Sequence, residues 1–178
     1  MSILRVVLLF IHVTGALGIF AALAIEGAVL LLIRRATDAP QLRAALNTYG
    51  LVPRVGMPSF LVTLTSGLYL TASVWGWRVA WIDVAFLALI ATAVIGAALT
   101  RRSIARLETT LVRDDTHDSI LWASFIMRTF MLIGIVFLMT VKPPLNASVI
   151  AMATAAGLGV LAALPRRTRP SADSMVSA

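Results

Sequence analysis

Five long apolar runs, separated by short segments rich in arginine, constrain the fold of this chain more than any other feature of its sequence. They cover residues 3–33, 57–74, 80–99, 120–141 and 148–164. A helix needs about 20 apolar residues, at a rise of about 1.5 Å each, to cross the hydrocarbon of a bilayer. The sequence therefore predicts an all-α fold, a polytopic membrane helix bundle of about five transmembrane helices.

Composition supports this interpretation. Apolar residues make up 60% of the 178 residues and charged residues only 13%. Soluble domains are about 45–50% apolar and about 25% charged. A chain of this length cannot bury such an excess in a core of its own, because small domains keep much of their surface in contact with solvent. We expect the lipid bilayer to be the solvent for this surface.

The first and last runs each allow an alternative. The first is too long for the apolar core of a signal peptide, which is about 7–15 residues, and we interpret it as a retained helix. The last is short and rich in alanine and glycine, so a four-helix core with a peripheral C-terminal fifth helix is the alternative. Residues 1–164 are then a single transmembrane domain, and residues 165–178, which are small and polar, are predicted to be a disordered cytoplasmic tail.

The basic residues predict the orientation of the bundle. Four arginines lie in the first loop, five in or next to the third and three in the tail, twelve in all on one side. The other side has Arg5, Arg78 and Lys142. The positive-inside rule places the side with more basic residues in the cytoplasm. We therefore predict a multi-pass protein of the bacterial cytoplasmic (inner) membrane, with the N-terminus outside and the C-terminus cytoplasmic. The scarcity of lysine is typical of a GC-rich bacterial genome.

Tryptophan residues mark the predicted membrane boundaries. Trp75, Trp77 and Trp81 cluster where the second and third runs meet, and Trp122 marks the inner end of the fourth.

Two of the predicted loops contain residues typical of short helices. Asp38 followed by Pro40 predicts an N-cap and a short helix over residues 41–46. Residues 101–113 place apolar side chains among arginines, which predicts a helical extension lying on the anionic inner leaflet. Its apolar residues are Ile104, Leu107 and Leu111.

Several chemistries are excluded or disfavoured. The chain has no cysteine, which excludes disulfides, thiolate metal sites, cysteine-ligated iron–sulfur clusters and covalent c-type haem. The net charge of +7 does not predict nucleic-acid binding, because the arginines sit between apolar runs. Residues 114–118 hold three aspartates and His117, and an N-cap with solvated neighbours is favoured there over a metal site.

The few ionisable residues inside the apolar runs are the candidate functional residues, because such residues are costly in a bilayer. His12 and Glu26 lie about four helical turns apart and share a face with Gly15, Ala16 and Ala22. The small residues favour close helix packing over a ligand site. For His12, a metal or haem ligand and a satisfied hydrogen-bonding group remain equal alternatives.

Glu26 and Arg128 are predicted to form an intramembrane ion pair. Glu26 precedes Arg34 by about 12 Å of helix rise, and Arg128 lies at a similar depth after Asp118. Charged side chains inside a bilayer usually pair with a side chain of opposite charge. The alternative is that each side chain reaches the inner surface separately.

Other polar or soft groups lie near the predicted depth of His12, and the candidate site neighbours are Tyr69, Asp83 and Met139. Imidazole and thioether groups can bind haem iron or copper(I), and a carboxylate can orient an imidazole. Methionine is more often a core filler.

Three motifs carry a resemblance. They are residues 11–18 (IHVTGALG), 61–70 (LVTLTSGLYL) and 138–143 (LMTVKP). Together they resemble a family of small predicted bacterial integral membrane proteins without an assigned function, over about residues 3–144. More distantly, His12 is similar to the histidine in the first helix of copper-resistance D-type proteins and HemJ-type protoporphyrinogen oxidases. In the latter that histidine is implicated with haem, and His12 is the one residue carried over.

The functional prediction is an integral membrane protein of unassigned activity with a haem- or metal-linked redox role at His12. Haem b or copper is the cofactor this implies, and enzymatic activity is left open. One alternative is a proton- or ion-coupled transporter or channel along His12, Glu26 and Arg128. Another is a structural subunit of a membrane complex or a homo-oligomer. Its docking surfaces would be the small residues of the first run and a face of the last formed by Ala151, Ala155 and Gly159.

Overall fold

The computed structural model describes residues 2–77, 79–110 and 115–164, and nearly all of them are helical. We label the helices α1 to α7, and two of them continue as π-helical turns. The bounds are α1 Ile3–Arg35, α2 Ala39–Tyr49, α3 Leu51–Leu70 with the π-helical turn Thr71–Trp75, α4 Ala80–Ile95 with the π-helical turn Gly96–Thr100, α5 Arg101–Thr110, α6 Asp115–Val141 and α7 Leu145–Ala163. The described residues contain no strand.

The predicted fold class is confirmed: the chain is an all-α helix bundle. Within the described residues, five helical stretches are long and apolar enough to cross a membrane. Two of them are composite. The segment Ala39–Trp75 combines α2 and α3, and Ala80–Thr110 combines α4 and α5. The predicted tail, residues 165–178, lies outside the described residues.

The short helix α2 forms for the reason that the sequence predicts. The Asp38 carboxylate accepts a hydrogen bond of 2.8 Å from the Gln41 backbone N–H, which satisfies a free donor of the first turn. Pro40 lies in that turn, where proline has no hydrogen bond to lose. Gly50 is itself right-handed helical, so the chain runs on from α2 into α3. Helix α3 therefore begins at Leu51, six residues before the predicted start.

The prediction for residues 101–113 was partly wrong. Residues 101–110 are helical and continue directly from the π-helical turn after α4, as expected of a helical extension. Their predicted position on the leaflet surface is what the structure contradicts. Ile104 and Leu107 are only 4% and 3% exposed, because they pack in a cluster with Ile33, Leu46 and other apolar side chains of α1, α2 and α6. These two side chains are buried in protein instead of facing lipid. Leu111 lies outside the described residues.

Two apolar cores hold the bundle together. The first joins α1, α4, α6 and α7, with Leu23, Leu89 and Leu138 among its buried residues. The second joins the end of α1 to α2, α5 and the start of α6, around Leu30 and Leu121. The end of the bundle that holds Trp75 and Trp81 is called the tryptophan end. The opposite end, where α1 ends and α5 begins, is called the arginine end.

Small residues bring α1 against α3, which is the packing role favoured for them on sequence grounds. A Cβ atom added at Gly15 would lie 2.6 Å from Thr63 Oγ1 and 3.0 Å from the Thr63 backbone nitrogen. One added at Gly18 would lie 2.2 Å from Ser59 Oγ. Glycine is therefore what lets the two helix backbones approach this closely.

The small residues of α7 are also engaged within the chain. A Cβ atom at Gly159 would lie 3.0 Å from the Met127 Cα atom, and Ala155 is buried against Gly134. The two surfaces predicted to dock a partner subunit, on the first and last helices, are therefore largely covered by α3 and α6 of the same chain.

Candidate functional site

The imidazole of His12 lies half-buried between α1 and α3, and α3 fixes its orientation. His12 Nδ1 is 3.0 Å from the Thr63 carbonyl oxygen and 3.2 Å from Ser66 Oγ. A carbonyl oxygen can only accept, so Nδ1 donates. The Ser66 hydroxyl donates to the Val62 carbonyl oxygen, which leaves its oxygen free to accept from Nδ1 as well. In the neutral ring, the lone pair is then on Nε2.

The residue beneath the ring is Gly67. A Cβ atom at this position would lie 3.0 Å from His12 Cε1 and 3.7 Å from the ring of Phe86. The absence of a side chain therefore leaves the space that the imidazole occupies against the α3 backbone. Thr63, Ser66 and Gly67 all belong to the threonine- and serine-rich segment of α3, so one helix face both orients and accommodates the ring.

The three predicted neighbours of His12 lie on α3, α4 and α6. Tyr69 is 46% exposed and lines an open groove with Leu4 and Leu8. Asp83 is exposed in the first turn of α4, and Met139 packs at the edge of the first core. Within the described residues, no hydrogen bond joins any of them to His12.

Clusters of metal-ligating side chains are likewise missing from the described part of the chain. There, no three residues of the types His, Cys, Asp and Glu are grouped so that they could hold a metal ion. The side chains of residues 114–118 lie outside the described residues. Among the described residues, His12 therefore belongs to no group of three such side chains.

Glu26 and Arg128 form the second polar site, and the structure brings the two together. Arg128 Nη2 donates to the Glu26 carboxylate, which is 1% exposed, while the Arg128 side chain is 13% exposed. Arg128 Nε also donates to the Ser124 carbonyl oxygen at 3.3 Å, and Nη2 is 3.3 Å from Thr100 Oγ1. The guanidinium is therefore held by α6 and α4 while it neutralises a carboxylate of α1.

Gly96, the first residue of the π-helical turn Gly96–Thr100, leaves space for the Arg128 guanidinium. A Cβ atom at Gly96 would lie 3.1 Å from Arg128 Nη1. Thr100, at the end of the turn, is buried and shares a hydrogen bond of 3.0 Å with Ser124 Oγ. π-Helical turns are rare and are frequent at functional sites. The sequence prediction missed Gly96, Thr100 and Ser124, because small and hydroxyl residues are common in apolar helices.

Cation–π contacts lie at both ends of the bundle. At the tryptophan end, Lys142 Nζ is 4.4 Å from the ring centroid of Trp75, which meets Trp81 edge to face at 5.6 Å. At the arginine end, the Arg34 guanidinium lies 4.6 Å from the ring centroid of Trp122. These contacts tie the ends of neighbouring helices together.

Comparison with known proteins identifies no relative. No protein-family model matches the sequence, and no curated protein or solved structure is significantly similar to it. The fold and the two polar sites therefore define the class of this protein, an all-α bundle of helices able to span a membrane.

Proposed function

We propose that the chain is a multi-pass protein of the bacterial cytoplasmic membrane, with its N-terminus outside and its C-terminus in the cytoplasm. Five helices of spanning length and composition support the membrane placement. The excess of arginine at one end supports the orientation. The pair Trp75 and Trp81 at the other end supports it too, since tryptophan favours the headgroup level.

Within this membrane, we propose a haem-linked redox role in which His12 Nε2 would bind the iron of haem b. The single observation that carries the proposal is the hydrogen bond of 3.0 Å between His12 Nδ1 and the Thr63 carbonyl oxygen. Histidines that bind metals almost always donate their other ring N–H to a carbonyl or carboxylate oxygen, which fixes the tautomer and the ring plane. His12 already has that arrangement.

The set of donor atoms favours haem over a bare metal ion. A zinc or copper site built from His, Cys, Asp and Glu side chains needs several ligands, and the described residues offer no group of three of these types. A haem group needs only one protein ligand, as with a proximal histidine. When bound, it would supply one-electron redox chemistry. The residues of this chain would orient and support its ligand: Thr63 and Ser66 accept from Nδ1, and Gly67 leaves space for the ring.

The test is the visible spectrum of the purified protein. The full chain is produced in haem- and copper-replete cells, purified in detergent, and compared with His12→Ala and His117→Ala. These are the two histidines of the chain. We expect a haem absorption band in the wild type and in His117→Ala, and its loss in His12→Ala. A colourless, metal-free wild type, or a band that survives in His12→Ala, contradicts the proposal.

A second candidate function, proton- or ion-coupled transport, is favoured by the burial of Glu26 beside Arg128. Ionisable groups inside a bundle mark ion pathways in many transporters. A flux assay in liposomes tests it, with Glu26→Gln as the variant and Asp83→Asn, at an exposed carboxylate, as the matched control. Loss of flux in Glu26→Gln alone supports transport, and no flux above that of empty liposomes contradicts it.

A role as a structural subunit would need docking surfaces other than the small-residue faces of α1 and α7, because α3 and α6 of the same chain largely cover those faces.

A further inference from the structure

Three exposed arginines at the arginine end share one level along the bundle. Arg54 lies in the first turn of α3, and Arg101 and Arg102 begin α5. Trp75 and Trp81 are in contact and provide a common reference level at the other end. From that level, helix rise places all three arginines about 30–32 Å away along the helix axes. The hydrocarbon of a bilayer is about 30 Å thick, so they fall at the far headgroup layer.

None of the three arginines is neutralised within the described residues. Glu26, the buried carboxylate near this level, is already neutralised by Arg128. Apart from Glu26, the acidic side chains of this end that the structure describes are Asp38 and Glu108, and both are exposed. By helix rise both lie about 10 Å or more beyond the level of the three arginines. Among the described side chains, no carboxylate therefore compensates the positive charge of Arg54, Arg101 and Arg102.

We propose that Arg54 on α3 and the adjacent pair Arg101 and Arg102 on α5 bind the phosphate groups of anionic phospholipids at this level. The guanidinium group matches a phosphate with two parallel N–H donors and is more weakly hydrated than an ammonium group. Each basic residue near an anionic surface strengthens binding roughly fivefold. The inference goes beyond a role for His12 or Glu26 and rests on the proposed membrane placement alone.

The chain offers a matched control for level. Arg35, at the end of α1, and Arg43, on α2, are also exposed. By helix rise along α2 and α3, Arg43 lies about 48 Å from Trp75. Arg35 lies about 45 Å along α1 from Arg5, which donates to the Ser73 carbonyl oxygen near Trp75. Both are therefore roughly 15 Å beyond the three arginines. That separation exceeds the screening length of about 10 Å at 0.1 M salt. The double variants R101Q/R102Q and R35Q/R43Q remove the same charge, so they distinguish a headgroup site from an effect of net charge.

The experiment titrates dioleoylphosphatidylglycerol or dioleoylphosphatidylcholine into the full chain in neutral detergent and follows the midpoint of thermal unfolding. We expect phosphatidylglycerol to raise the midpoint with an apparent Kd about tenfold or more below that of phosphatidylcholine. R101Q/R102Q should raise the phosphatidylglycerol Kd about 25-fold and R54Q about fivefold. R35Q/R43Q should change it less than about twofold.

Several outcomes overturn the proposal. Equal Kd values for the two lipids, or equal losses in the two double variants, contradict a headgroup site at this level. An equal upward shift of the midpoint with the same concentration of inorganic phosphate contradicts a lipid source. If R101Q/R102Q does not fold, an unchanged Kd in R54Q is sufficient to refute the site. Flotation with phosphatidylcholine vesicles tests the membrane placement separately, because it needs no anionic lipid.

Discussion

The pair of Glu26 and Arg128 is the most demanding feature at the scale of single residues. Burying an unpaired charge costs several kcal/mol even after the protein relaxes. Here the carboxylate is 1% exposed, and the guanidinium that neutralises it is held by the Ser124 carbonyl and Thr100 hydroxyl oxygens. The structure therefore satisfies the charges on both sides, and the cost appears when one partner is removed.

We predict that Arg128→Met lowers the free energy of unfolding by about 3–5 kcal/mol, because it leaves Glu26 buried without a partner. The double variant Glu26→Gln/Arg128→Met should lose clearly less, since it removes both charges together. Denaturation in mild detergent micelles, followed by circular dichroism, measures both. A double variant that is destabilised by the sum of its two single variants would show that the pair is not coupled.

The residues of the two polar sites differ in how far the sequence predicts their roles. The pairing of Glu26 with Arg128 could be predicted from the sequence, because a charged residue inside an apolar run is conspicuous and helix rise gives the depth of that residue in the membrane. The roles of Thr100, Ser124 and Gly96 could not be predicted, since they depend on which helices are neighbours and on a π-helical turn. His12 was recognisable as a candidate, but its partner Thr63 acts through a backbone carbonyl, which every residue has.

At the scale of elements, the pairing of α1 with α3 depends on close backbone approach. Gly15 faces the Thr63 backbone, and His12 lies about one turn away on α1. In a membrane, packing and interhelical hydrogen bonds hold helices together, since lipid supplies no hydrophobic drive between them. Separation of α1 from α3 would therefore weaken the packing and lengthen the bond from His12 Nδ1 to Thr63 at the same time.

We predict that Gly15→Ala lowers the free energy of unfolding by about 1–3 kcal/mol, because the added methyl group overpacks the interface with α3. Gly157→Ala is the matched control, since a Cβ atom there has no neighbour within 4 Å. It should change stability by less than about 1 kcal/mol. The same denaturation assay compares the two, and equal effects would contradict a tight α1–α3 interface.

The elements themselves were largely predictable, and their ends less so. The apolar runs fix where the long helices lie, and Asp38 fixes the start of α2. The start of α3 was missed because Pro53 and Arg54 look like a loop, although proline is tolerated in a first helical turn. The environment of α5 was missed because an amphipathic pattern shows that one side is buried without showing what buries it.

At the scale of the whole molecule, three of the five spanning stretches are much longer than a bilayer requires. Helix α1 has 33 residues, the segment Ala39–Trp75 has 37 and Ala80–Thr110 has 31. At about 1.5 Å per residue each exceeds the hydrocarbon thickness of about 30 Å by 15 Å or more. In the proposed placement, the excess length extends beyond the lipid at the arginine end, where the second core joins α1, α2, α5 and α6.

The second core decides whether this extension is a packed structure or a set of separate helix ends. Leu107 of α5 is 3% exposed within it, whereas Leu87 of α4 is 69% exposed. We predict that Leu107→Ala lowers the free energy of unfolding by about 2–5 kcal/mol, as expected for a core leucine. The same substitution at Leu87 should cost much less, because the protein buries little of that side chain. Denaturation in detergent measures both variants. Equal, small losses of stability in the two variants would mean that Leu107 faces the membrane surface, as the amphipathic pattern alone suggests. A large loss confined to Leu107→Ala means that α5 closes a core made of protein.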